Sequence, residues 1–173
     1  LGASILVTTV SNPLTALRSN IALSRGFEME YEVWTDGSCI KEDERDSTGE
    51  CGAGYVIVET SSGNILHLHG EYIGITTNNM AEFIAVELAL EDLVARNLGP
   101  SVHITVISDS KMVVEGLLEN YNIREPKLKK MIEKIRKLED KLNGVPQYQW
   151  VKAHVGTELN EMADWLAYTA ARG

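Results

Sequence analysis

The pattern of the chain predicts an α/β domain: a five-stranded mixed sheet with helices on both faces. Three observations carry this reading. Three strand-like segments follow one another between residues 31 and 73. The two remaining strand-like segments alternate with helical ones. The chain has 173 residues, 44% of them hydrophobic, which suits one domain with a filled core.

Residues 1–29 read as an N-terminal extension, separate from a main domain over 30–173. Ser11-Asn12-Pro13 marks a helix start and Gly26 its stop, with Leu14, Leu17, Ile21 and Leu23 between them. Tyr31-Glu32-Val33-Trp34-Thr35 alternates and is rich in strand formers. After an acidic loop over 40–50, Tyr55-Val56-Ile57-Val58 forms the second strand. Ser61-Ser62-Gly63-Asn64 turns the chain into a third strand, Ile65 to Ile73. A helix follows over 78–95, with Ala81, Ile84, Ala85, Leu88 and Leu93 at helical spacing, and Gly99-Pro100 ends that unit. Val102 to Ile107 is apolar enough to run inside the sheet. A short helix over 110–119 and a longer charged one over 125–142, opened by Pro126, lead to a fifth strand, Gln147 to Lys152. Asn160 to Ala171 is the last helix.

Charge sends a mixed signal. The formal net charge of −9 argues against a polyanionic partner. The acid is unevenly spread, however. Residues 41–50 hold five acids against two bases, whereas residues 124–141 hold eight bases against four acids. No apolar run approaches the roughly 20 residues of a membrane helix. Residues 1–10 lack the leading Lys or Arg of a secretory signal, so the expected compartment is the cytoplasm. Cys39 and Cys51 flank the acidic loop; two free thiols in a reducing cytosol are the expected state, and a disulfide across the loop base is the alternative. Without suitably spaced histidines the two cysteines make no zinc site.

Four acids stand out by position. Asp36 lies at the end of the first strand and Asp109 at the end of the fourth. Glu82 is in the first turn of the first long helix, and Asp164 in the first half of the last one. Singly, each has an ordinary explanation: Asp before Gly marks a turn, and Asp109 could cap the helix after it. If the first and fourth strands are neighbours, both aspartates face the crevice beyond the strand ends, where α/β sheets place their sites. Carboxylates held close repel unless they share cations. Hard oxygen donors select Mg²⁺ or Mn²⁺. Two such ions about 4 Å apart can activate a water and steady the leaving oxygen of a phosphodiester. His154, in a polar loop after the fifth strand, is placed to move protons; His67, His69 and His103 lie within strands and read as structural.

Four segments, Thr35-Asp36-Gly37-Ser38, Thr77-Asn78-Asn79-x-Ala81-Glu82, Ser108-Asp109-Ser110 and the run from Trp150-Val151-Lys152-x-His154 through Gly156 and Asn160-Glu161 to Ala163-Asp164, together resemble the motif set of type 1 ribonucleases H over residues 30–171. The resemblance implies a ribonuclease H-like sheet in the order 3-2-1-4-5. It implies an endonuclease that cuts the RNA strand of RNA–DNA hybrids, leaving a 3′-hydroxyl and a 5′-phosphate. Asp36, Glu82, Asp109 and Asp164 would be its catalytic metal ligands, for two Mg²⁺ ions that Mn²⁺ can replace. His154 would be its mobile auxiliary histidine. Asn78 and Asn79 match positions that touch the hybrid's minor groove, and Thr77 one that holds a DNA phosphate; Gly37, Ser38 and Asn160 complete the expected substrate-binding set. A monomer that avoids membranes is expected.

The chain departs from the family pattern twice. Its loop from Cys39 to Cys51 is long and acidic. Only Tyr121 to Pro126 separates two helices where many members insert a basic protrusion, so hybrid binding should be weaker or more salt-sensitive. The basic helix over 127–141 reads mainly as a solvated face. Two other settings fit the same motifs: a nuclease domain cut from a reverse transcriptase polyprotein, and a catalytically silent hybrid-binding domain. The silent form usually loses carboxylates, and this chain keeps all four.

Overall fold

The computed structural model describes residues 29–40, 47–99, 102–142, 144–153 and 156–173. The helix read within residues 1–29 lies outside them, apart from Met29. The elements are β1 (Met29–Ile40), β2 (Thr48–Glu59), β3 (Asn64–Thr77), α1 (Asn78–Arg96), β4 (Val102–Ser108), α2 (Lys111–Leu117), α3 (Pro126–Glu139), β5 (Gln147–Trp150) and α4 (Glu158–Ala171). The strands form one sheet in the order β3-β2-β1-β4-β5. β1 pairs antiparallel with β2 and parallel with β4, and β4 pairs parallel with β5.

Period-2 alternation splits the sheet residues between two cores. Tyr31 and Val33 of β1, Tyr55 and Ile57 of β2 and Val106 of β4 join Phe83, Val86, Leu90 and Leu93 of α1 and Ile135 of α3 on one side. Trp34, Val56, Val58 and Ile107 meet Ala163 of α4 on the other. Small residues let α4 lie close to the sheet. Gly54 sits against the backbone of Ala163 and Ala167, and a Cβ there would overlap the Ala163 carbonyl oxygen.

The structure moves several element ends, and two of the moves shape the site. β1 does not stop at Thr35. Its pairing with β4 ends at Thr35↔Ser108, while its pairing with β2 runs on through Asp36↔Gly54 to Ile40↔Glu50. Asp36 is therefore a mid-strand residue at the point where the neighbouring strand gives out, not a turn residue before glycine. α4 begins at Glu158, which places Asn160 inside its first turn. α1 ends at Asn97, whose φ of 48° and N–H bond to the Val94 carbonyl close the helix before Gly99 is reached.

Cys39 and Cys51 face each other across β1 and β2 and are joined as a disulfide, with Cα atoms 4.1 Å apart. The expectation of two free thiols is thereby overturned. The continued β1–β2 ladder brings the two cysteines into direct register, which spacing along the chain does not show. Among the described residues no helix is long and apolar enough to cross a membrane.

Candidate active site

Four elements deliver one carboxylate each to the edge where β4 ends. Asp36 comes from β1, Asp109 follows β4, Glu82 rises from the first turns of α1, and Asp164 comes from α4. Ligand oxygens of Asp36, Glu82 and Asp109 lie within 4.8 Å of one another. Asp164 stands close enough to Asp36 to push that carboxyl up. Asp36 is 6% exposed and Glu82 7%, so water screens neither well.

Gly37 shows how α1 reaches the cluster. A Cβ at this position would overlap the Glu82 nitrogen and the Ala81 carbonyl carbon, so only glycine lets β1 touch the start of α1. Its own N–H donates to Glu82 Oε2 at 3.1 Å. Asn78 Nδ2 lies 3.5 Å from the other oxygen, Oε1. Thr77 is the helix N-cap, its Oγ1 accepting from the Met80 N–H at 3.2 Å.

Asp109 is not a cap: the residue before α2 is Ser110, and no side chain caps that helix. Instead Asp109 Oδ2 accepts from Asn160 Nδ2 at 2.9 Å, and its backbone oxygen accepts from the Trp150 indole at 2.9 Å. Asn160 is 3% exposed, and its Oδ1 has no hydrogen-bond partner. The residues expected to bind substrate thus divide. Gly37 and Asn160 are buried and orient carboxylates, whereas Asn78 and Asn79 are exposed at the start of α1, and Ser38 and Thr77 are half-buried. His154 lies outside the described residues. The orienting bond from Trp150 escapes a reading of the chain. That from Asn160 has a visible signal: Asn160 and Asp164 stand four apart and share one helix face.

Burial first, then the charges of Asp109 and Asp164 and the close approach of Asp164, together raise the Asp36 carboxyl to about 8, against the Gly37 N–H. Glu82 is pushed well above the carboxylate range, first by burial and then by Asp36 and Asp109. Without a counter-charge the site resists being fully ionised. The residues therefore fit a divalent cation by donor chemistry: oxygen ligands, closely spaced, with charge that only a cation relieves.

A buried carboxylate cluster beyond the parallel strand ends of a 3-2-1-4-5 sheet defines a class of α/β protein equipped to hold divalent cations against a phosphate ester. The chain belongs to the RNase H family, whose model matches residues 28–172. The ribonuclease H of Treponema denticola is 30% identical over 162 residues, covering 83% of this chain and 98% of that protein. Among solved structures, LC11-RNase H1 isolated from compost by a metagenomic approach is similar with a TM-score of 0.71 and 31% identity, over 83% of this chain and 96% of that one. LC11-RNase H1 in complex with RNA/DNA hybrid gives 0.70 and 31%, over 82% and 96%.

Proposed function

We propose that this chain is an endoribonuclease that hydrolyses the RNA strand of RNA–DNA hybrids, leaving a 3′-hydroxyl and a 5′-phosphate. The observation that carries the reading is the convergence of Asp36, Glu82 and Asp109 within 4.8 Å, with Asp164 close enough to Asp36 to push its carboxyl up. The complex of LC11-RNase H1 with RNA/DNA hybrid supports the substrate.

Asp36, Glu82, Asp109 and Asp164 would hold two Mg²⁺ ions, or Mn²⁺ in their place. Bound there, the cations supply a water of lowered pKa and positive charge for the leaving oxygen. The chain's own groups do the positioning. Gly37 N–H fixes one Glu82 oxygen and Asn160 fixes one Asp109 oxygen, so both carboxylates are aimed before substrate arrives. Asn78 and Asn79 present amides to a wide, A-like minor groove. The Thr77 hydroxyl accepts from the helix and keeps its O–H to donate to a DNA phosphate. Ser38 lies beside Gly37 at the same edge. His154 would take and return protons beside the cluster.

The catalytic domain is residues 30–173 and residues 1–29 are an appended segment. The protein acts as a monomer in the cytoplasm.

The test is a labelled hybrid incubated with Mg²⁺, Mn²⁺ or EDTA, beside Asp109→Asn. Metal-dependent cutting of the RNA strand alone, lost in the variant, is expected. His154→Ala should slow turnover without abolishing it. Full activity in Asp109→Asn overturns the assignment.

A further inference from the structure

The catalytic cluster is made of oxygen donors. A different donor set stands on the outer strand of the sheet. β3 is an edge strand, and its alternation puts His67, His69 and Glu71 on one face. Sequence pattern alone makes the histidines structural; the fold groups two imidazoles and a carboxylate on one face of the edge strand. The two imidazole rings are nearly parallel, at 16°, with centroids 5.9 Å apart. Both rest on Tyr55 of β2, at 5.9 and 5.2 Å. His69 Nε2 lies 3.1 Å from Glu71 Oε2.

We propose that His67, His69 and Glu71 form a second metal site, for a borderline transition ion such as Zn²⁺, Ni²⁺ or Cu²⁺. Imidazole selects these ions, whereas the carboxylate cluster selects Mg²⁺ or Mn²⁺, so the two sites would load independently. The three ligand atoms do not converge as the rings now stack, since among the described residues only those of the carboxylate cluster lie within 4.8 Å of one another; binding would turn the rings out of the stack to bring one nitrogen of each toward a shared ion, at bond lengths of roughly 2.0–2.1 Å. Glu71 serves as third ligand or, through its bond to His69, fixes the tautomer of that ring. The exposed outer side leaves positions for water.

The test titrates the untagged full chain with Zn²⁺ against a chromophoric chelator, with millimolar Mg²⁺ present to occupy the oxygen-only cluster. One Zn²⁺ equivalent is expected. His67→Ala and His69→Ala should each weaken it at least tenfold, and the double variant at least a hundredfold. His69→Gln, which keeps a side chain of similar reach on the stack, should weaken it equally. His103→Ala with His154→Ala should leave it unchanged. With Cu²⁺, electron paramagnetic resonance should show coupling to two imidazole nitrogens, lost in the double variant. Melting in EDTA checks that each variant folds. Zn²⁺ binding that survives the double variant, that disappears with His103 and His154 instead, or that is absent from the wild type overturns the proposal.

Discussion

Asp36→Asn should make the metal-free protein more stable, and its pH dependence tests the electrostatic account of the site. The ordinary Asp carboxyl titrates at 3.8, and burial with its acidic neighbours raises Asp36 to about 8. Below pH 4 it is protonated both folded and unfolded and costs nothing. Between pH 4 and 8 the unfolded chain ionises first, so stability falls as pH rises through that window; above 8 the full cost stands. Each unit of displacement is worth about 1.4 kcal/mol, so by neutral pH the ionised unfolded state gains a few kcal/mol that the native state lacks. Asparagine keeps the volume and has no such titration. For a domain of this size about 1 kcal/mol moves Tm by roughly 2–4 °C. The variant should therefore melt several degrees higher than wild type at pH 8 in EDTA, and within a degree or two of it at pH 4. Mg²⁺ should raise the wild-type Tm and leave the variant nearly unmoved, since binding to the native state alone stabilises it. Scanning calorimetry from pH 4 to 8 reads all of this. A variant that melts lower than wild type at pH 8 in EDTA, or a gap that does not change with pH, refutes the reasoning.

Gly37→Ala drives a methyl into the Ala81–Glu82 backbone, and should cost about 3 kcal/mol or more together with most of the nuclease activity, read by urea unfolding and hybrid cleavage. Asn160→Ala removes the donor that aims Asp109; we expect kcat to fall about 10–100-fold with the fold intact by circular dichroism, and unchanged kcat would leave the bond without a role. Reducing the Cys39–Cys51 bond frees a loop of twelve-residue separation, which should cost about 2–3 kcal/mol in unfolding experiments with and without dithiothreitol.

Much of this site is legible in the sequence because its chemistry is carried by residue types that are costly to bury without cause. The order of strands and helices also follows from periodicity, since a sheet with one helix-covered core on each side leaves alternation in β1 and β2 and a 3.6-residue repeat in α1. What escapes is whatever pairing decides. β1 reads as ending at Thr35 because Asp-Gly-Ser has poor strand propensity. In the fold those residues stay extended, since β2 continues opposite them as far as Glu50. The disulfide is hidden for the same reason: register, not spacing, brings Cys39 to Cys51. Asp109 looks like a cap because local hydrogen bonding favours Asp there, but a residue 51 positions away claims its carboxylate. The basic run of α3 reads correctly as a surface at Lys127, Lys129, Lys130, Lys134 and Lys137, which are exposed, whereas Arg136 is half-buried and pairs with the buried Glu139 at 2.8 Å.

The cluster is assembled by backbone approach rather than by side-chain reach. Aspartate is short, so three aspartates and a glutamate from four elements can meet only if those elements nearly touch. Gly37 allows α1 to meet β1, and Gly54, the register partner of Asp36, allows α4 to lie on β2 with Asp164 next to the contact at Ala163. Each missing side chain therefore contributes to the fold and to the chemistry together, whereas each carboxylate contributes to the chemistry against the fold. The two classes of substitution should separate in experiment. Glycine variants lose stability and turnover in parallel, and carboxylate variants lose turnover while gaining stability in the absence of metal. A glycine variant that kept its stability and lost only activity would mean that the approach of the helices is not what the glycines provide.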